Sequence, residues 1–177
     1  MRITFDAPMP SCSRCRNAEI LEIRRATLAD IPRIQALEVQ SATAAHWSAG
    51  QYDTLFADDA PQRTVLVAQN EHDNVQVIGF VIARCLTGEW EIENIVVAEH
   101  YKNRRIGTAL VRHLLSEAEA GGASSVILEV RESNGPARRL YESNGFMAEG
   151  RRKVYYRDPV EDAILYRHSL QFCDKIS

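Results

Sequence analysis

No stretch of this 177-residue chain has the length and apolar character to cross a bilayer. The longest apolar run, Val77 to Ala83, falls far short of the roughly 18 to 20 residues a spanning helix requires. Basic excess is missing too: 21 Lys and Arg stand against 24 Asp and Glu, and a net charge of −3 argues against nucleic acid as the main partner. Cysteine is scarce and scattered (Cys12, Cys15, Cys85, Cys173), which excludes a disulfide framework. No secretory signal is found, and a reducing cytoplasm is expected. Cys12 and Cys15 have no second Cys pair or close His pair to complete a zinc shell. The five histidines (His46, His72, His100, His113, His168) are dispersed, so no metal is expected.

What is present is enough for one domain, whose core needs neither metal nor disulfide at this length. Residues 1–18, with two prolines and no sustained periodicity, read as a tail before the fold. Residues 19–170 read as the domain, and 171–177 as a C-terminal tail. Within the domain, Glu19 to Ala26 reads as a strand. Thr27 and Asp30 are N-cap candidates for a helix in which Ile31, Ile34, Leu37 and Glu38 recur at helical spacing, and a short helix follows near Ser48 to Phe56. Thr64 to Gln69, Val75 to Leu86 and Glu91 to Val97 are β-rich runs expected to form an antiparallel meander.

Ile106, Leu110, Leu114 and Ala118 mark an amphipathic helix that ends at Gly121-Gly122. Val126 to Val130 is a mostly apolar strand, Pro136 opens a helix that Asn144-Gly145 closes, and two strands finish the fold, about Phe146 to Val154 and Asp162 to Leu170. This order predicts an α/β architecture, a mixed and mostly antiparallel central sheet with helices on both faces.

Three segments carry candidate chemistry. From Asn94 to Leu110 a strand enters a short basic loop that opens directly into a helix. Backbone N–H groups and the positive helix end converge there on a candidate anion site. Lys102, Arg104 and Arg105 would add charge, and Gly107 would let the backbone approach a phosphate. Basic residues before a helix are also commonly just solvated. In Val126-Ile-Leu-Glu129-Val130 one carboxylate interrupts an apolar strand. Partial desolvation would raise its pKa and suit it to general-base work, unless it lies at the strand's end in water. Tyr141 should turn its ring to the sheet, its hydroxyl being either a satisfied core group or a proton donor.

The loop YKNRRIGTAL (101–110), the strand LEVRESN (128–134) and the helix ARRLYESNGF (137–146) resemble the acetyl-CoA-dependent N-acetyltransferase (GNAT) superfamily, and the element order is similar to that acyl-CoA N-acyltransferase fold from about residue 19 to 170. LEVRESN, LYESNGF and the later GRRKVYY and EDAILY resemble more narrowly the RimI-type ribosomal-protein-alanine N-acetyltransferases, as does the Trp47-Ser48 pair after His46. The resemblance implies acetyl-CoA contacts at Ile95, Val96 and Val97, at the loop and helix start formed by Asn103, Arg104, Arg105, Ile106, Gly107 and Thr108, and at Asn134. It puts the catalytic base at Glu129 and the general acid at Tyr141. Lys102 and Arg105 depart from the family's loop, where Gln or Arg opens it and glycine takes the place of Arg105.

Direct transfer in a ternary complex is the reaction implied, with a protein or peptide N-terminus as acceptor. Trp47, Tyr52, Tyr155 and Tyr156 are candidates for an aromatic acceptor wall, and Glu161 and Asp162 for contact with a basic second residue. The alternative for each is packing. Arg151, Arg152 and Lys153 read as a solvated strand end, and Cys85 as a small core residue rather than an acyl carrier. Two other functions fit this fold: transfer to another amine (lysine side chain, polyamine or small molecule), and a non-catalytic acyl-CoA-binding module.

Overall fold

The computed structural model describes residues 21–41, 44–45, 47–53, 55–56, 62–70 and 76–170. The expectations for the N-terminal segment with Cys12 and Cys15, for His46 and His72, and for the C-terminal segment with Cys173 lie outside the described residues. Seven strands make one sheet: β1 (Leu21–Arg25), β2 (Arg63–Asn70), β3 (Gln76–Leu86), β4 (Glu89–Val97), β5 (Ser125–Arg131), β6 (Met147–Arg157) and β7 (Val160–Ser169). Their order across the sheet is β1-β2-β3-β4-β5-β7-β6. Only β4 and β5 pair parallel, because α3 (Ile106–Ala120) makes the crossover between them. The other helices are α1 (Ile31–Val39), α2 (Ala49–Asp53) and α4 (Gly135–Ser143). The expected mixed sheet with helices on both faces is therefore the observed one.

Each face has its own core. Ile106, Leu110, Val111, Leu114 and Ala118 form the buried stripe of α3 and pack with Tyr141 and Phe146 on one side of the sheet. Fully burying a side chain such as Leu110 or Leu114 stabilises the fold by about 1.5–3 kcal/mol. On the other side Ile34 and Leu37 of α1 and Tyr52 of α2 pack on Val67, Phe80 and Val96. The start of α1 is fixed through Asp30, which accepts from the Thr27 amide (2.8 Å) and from both terminal nitrogens of Arg24 (2.8 Å each).

Two irregularities shape the centre. Ile82 pairs with Asn94 but Ala83 with Ile92, so Glu93 is an extra residue, a β-bulge in β4. Because side chains alternate with period two, one added residue reverses the faces. Trp90 and Ile92 belong to the α3 core, whereas Val96, beyond the bulge, belongs to the α1 core. The second irregularity is in β6, where Arg152 pairs with Ala163 and Tyr156 with Glu161, leaving Lys153 to Tyr155 out of register and Val154 at φ 53°. This break in alternation is why the sequence pattern stops at Val154 although the strand runs on to Arg157.

Candidate active site

The parallel ladder between β4 and β5 ends at Ile92 and Leu128, although β4 continues to Val97 and β5 to Arg131. The strands splay from the bulge onward. On its other edge β4 stays paired: the Ala98 amide donates to the Ile78 carbonyl (2.8 Å). In an antiparallel ladder bonded and non-bonded pairs alternate, so the N–H and C=O groups of Ile95 and Val97 point away from β3, into the splay. A cavity of about 1000 Å³ fills this opening. Its lining includes Ile95, Val96, Val97, Asn103, Arg105, Ile106, Gly107, Thr108, Glu129, Asn134, Tyr141, Tyr155 and Tyr156. Among the described residues, no group of three or more His, Cys, Asp or Glu side chains could hold a metal ion.

At one end the cavity meets the first turn of α3. No side chain caps this helix, and its first intrahelical bond closes from the Ala109 amide to the Arg105 carbonyl (2.9 Å). The amides of Ile106, Gly107 and Thr108 therefore have no partner within the helix. Asn103 (φ 61°) and Arg105 (φ 62°) are both left-handed, which coils the loop tightly before the helix. Of the side-chain charges here, that of Lys102 is offset by Glu99 at 2.5 Å, while Arg104 lies over the Tyr101 ring. Arg104 is not part of the lining, whereas Arg105 is exposed and borders the cavity. Gly107 has a packing reason as well: a Cβ there would come within 3.1 Å of Leu140 Cδ2, so the missing side chain lets α3 approach α4. Asn134 caps α4, its side-chain oxygen accepting from the Ala137 amide (3.2 Å).

Glu129 and Tyr141 border the same cavity from different elements. Glu129 stands on β5 between Leu128 and Val130, which point into the α3 core, so its own side chain lies on the α1 face. Its side chain is 13% exposed and pairs with Arg152 Nη1 at 2.8 Å. Arg151, Arg152 and Lys153 are exposed, as expected of a solvated run, but they lie within β6 and not at its end. Arg152 reaches Glu129, and Arg151 pairs with Asp162 (2.6 Å) and Glu132 (2.7 Å). The Tyr155 hydroxyl also lies beside the Glu129 carboxylate. That proximity, helped by burial, pushes the Tyr155 phenol up to about 12. Tyr141 on α4 is 5% exposed, its ring edge-on to Phe146. Burial raises its pKa, and no hydrogen bond to its hydroxyl is formed among the described residues.

Of the expected acceptor wall, Tyr155 and Tyr156 border the cavity, set edge-on to each other with Arg131 over the Tyr156 ring (4.1 Å). Trp47 and Tyr52 are instead packed together in the α1–α2 core, with Arg63 over the Trp47 ring, and are not lining residues. Glu161 and Asp162 are already engaged. Glu161 accepts from the Ser133 amide (2.5 Å) and pairs with Arg131, while Asp162 accepts from the Val154 amide (2.7 Å) and from Arg151. Cys85 is a partly buried thiol beside Thr64 and is not part of the lining. The sequence reading missed the bulge at Glu93, for which no residue type gives a signal, and the lining contributed by Ser41, Ala44 and Ala45. It also missed Asn94, turned by the bulge toward Glu38 and hydrogen-bonded to it (2.6 Å). Glu38 did leave a trace, as a carboxyl within the apolar stripe of α1.

Known proteins share both sequence and shape. The sequence model of the acetyltransferase (GNAT) family matches residues 31–146. The [ribosomal protein bS18]-alanine N-acetyltransferase of Escherichia coli strain K12 is 35% identical over 138 residues, which cover 77% of this chain and 88% of that protein. The crystal structure of the ribosomal-protein-S18-alanine N-acetyltransferase from Escherichia coli superposes with a TM-score of 0.75 at 26% identity, covering 89% of this chain and 99% of that one. Arabidopsis thaliana NAA60, solved in complex with acetyl-CoA, shares the fold at a TM-score of 0.74 and 18% identity, covering 85% of this chain and 98% of that one.

Proposed function

Because the chain belongs to the acetyltransferase (GNAT) family and is an N-acetyltransferase, we propose that it acetylates the N-terminal α-amine of an alanine-initiated ribosomal protein, with acetyl-CoA as donor, in the cytoplasm. The observation that carries this reading is the splay of β4 from β5, which opens main-chain donors and a cavity between a carboxylate and a phenol. The bacterial relative named for this reaction on ribosomal protein bS18 supports the choice of acceptor.

The residues present fit the donor. The diphosphate is anionic, and the amides of Ile106, Gly107 and Thr108, which have no partner within the helix, together with the positive end of a 15-residue helix, suit anion binding through the backbone. Because these donors are main-chain groups, the loop does not need glycine at Arg105, provided the left-handed conformation is kept. The outward-turned N–H and C=O of Ile95 and Val97 are a ladder edge for an amide-containing arm such as pantetheine. Acetyl-CoA, when bound, supplies an activated acyl thioester.

Glu129 receives the proton of the acceptor, directly or through one water. An α-ammonium with a pKa of about 7.7–8.0 is largely protonated at neutral pH and must lose that proton to attack. The Val97 N–H donates to the acyl oxygen as it gains charge. Tyr141, kept protonated by burial, returns a proton to the departing thiolate. Transfer is direct, and no residue of the chain carries the acyl group.

The test is to incubate the protein with acetyl-CoA and a pool of peptides, then locate added acetyl groups by mass spectrometry. Label on the α-amine of peptides that begin with alanine or another small residue is the expected result. Label confined to lysine ε-amines or to polyamines overturns the acceptor, and coenzyme A binding without any label overturns the catalytic reading.

A further inference from the structure

Glu38, in the last turn of α1, is 2% exposed, and no ion pair to it is formed among the described residues. A carboxyl buried without a cation is costly, and an apolar side chain of similar size would serve stability better. Its partners suggest what it does instead. Glu38 Oε1 accepts from Asn94 Nδ2 (2.6 Å) and Oε2 from the Trp47 amide (3.1 Å). Asn94 in turn accepts from the Ala45 amide at 3.5 Å through its side-chain oxygen. The Tyr52 hydroxyl lies beside the same carboxyl; burial first, then Glu38, raises its pKa, yet it makes no hydrogen bond of good geometry. One carboxyl thus ties the segment after α1 to the half of β4 beyond the bulge.

Ala44, Ala45 and Asn94 border the cavity on the α1 face of the sheet, the face that also carries the Glu129 side chain. The amides of α3 lie on the other face. We infer that Glu38 is a positioning residue for the acceptor: through Asn94 and Trp47 it fixes the wall of Ala44 and Ala45 against which the first residues of the acceptor chain lie, and it does not act on the acyl donor. The acceptor role rests on the acetyltransferase reading above; the fixing of the wall does not.

The test compares the wild-type protein with Glu38→Gln, which keeps the volume and one acceptor oxygen but turns an N–H donor toward either Asn94 or Trp47. KM for an alanine-initiated peptide is expected to rise about tenfold, as befits one unsatisfied buried polar group, while kcat and the KM for acetyl-CoA stay within about twofold. Amide hydrogen exchange at Ala45 and Trp47 is expected to quicken while that of α3 does not. An unchanged peptide KM, or equal rises in both KM values, overturns the acceptor role. If the wild-type protein labels no amine, the acetyltransferase reading fails by itself. Exchange at Ala45 and Trp47 then decides whether Glu38 fixes this wall, and unchanged rates overturn that.

Discussion

Arg152 of β6 reaches over β7 to place a guanidinium nitrogen 2.8 Å from the carboxylate of Glu129 on β5. The arginine side chain is 58% exposed, so water competes with the carboxylate for its guanidinium. An arriving ammonium must share the carboxylate with it. Replacing Arg152 with Gln removes the competing cation, and exposed pairs contribute 0.2–1 kcal/mol. The KM for a peptide acceptor is therefore expected to fall by roughly two- to fivefold with little change in kcat, and the difference should narrow in high salt. Steady-state kinetics at two ionic strengths checks this. An unchanged or higher KM would contradict it.

Glu129→Gln removes a proton acceptor and Tyr141→Phe a proton donor, without large changes in volume. Each is expected to lower kcat by about 10²- to 10⁴-fold while leaving coenzyme A affinity nearly constant, since neither side chain belongs to the loop before α3. Calorimetric titration with coenzyme A beside turnover measurements separates the two effects. Full turnover in both variants would remove these roles.

Arg105 holds a left-handed conformation (φ 62°, ψ 12°) that costs a residue with a Cβ about 1–2 kcal/mol and glycine almost nothing. After allowing for the greater freedom of glycine in the unfolded chain, Arg105→Gly is expected to stabilise the protein by about 0.5–1 kcal/mol. Arg105→Val, β-branched and ill suited to this region, should destabilise it by about 1–2 kcal/mol and weaken coenzyme A binding. Denaturant melts of the three proteins give the order, which is reversed if the loop relaxes to another conformation.

Asp30 accepts two hydrogen bonds from Arg24 and one from the Thr27 amide, and these hold its carboxyl at about 2 against an ordinary 3.8. The unfolded chain therefore binds more protons than the folded one between these values, and stability rises with pH there. Asp30→Asn should cost about 2 kcal/mol at neutral pH. The gap from wild type should persist down to about pH 4 and close as pH falls through about 2, because the wild-type carboxyl is then protonated too. Urea melts from pH 2 to 7 measure it. A gap independent of pH would mean that packing, not charge, is responsible.

The periodic parts of the fold were legible. The stripe from Ile106 to Ala118 is the buried face of α3, Gly122 and Gly145 are the positive-φ helix stops, and the three-strand meander lies where the alternation placed it. The donors of the loop from Asn103 to Thr108 were legible for a similar reason: a strand, a basic loop and an amphipathic helix in succession fix where helix amides emerge. Relations between side chains far apart in sequence were not. Nothing local to Arg152 reveals that it meets Glu129 across an intervening strand, and Trp47 looks like a ligand contact until its ring is seen against Tyr52 and beneath Arg63. The bulge at Glu93 escaped because an extra residue changes the pairing count, not the composition of the strand.

That single surplus residue also divides β4 into two territories for protein engineering. Ahead of Glu93, the inward positions Trp90 and Ile92 pack into the α3 core, where a change of volume costs stability and leaves the site's peptide groups in place. Past it, Asn94 and Val96 look toward the opposite helices, and Ile95 and Val97 offer their peptide groups to the gap. Trimming one amino acid at this point would swap inside for outside along the downstream half. It would also let the two parallel neighbours zip together, leaving a tighter barrier with nowhere for a guest to enter.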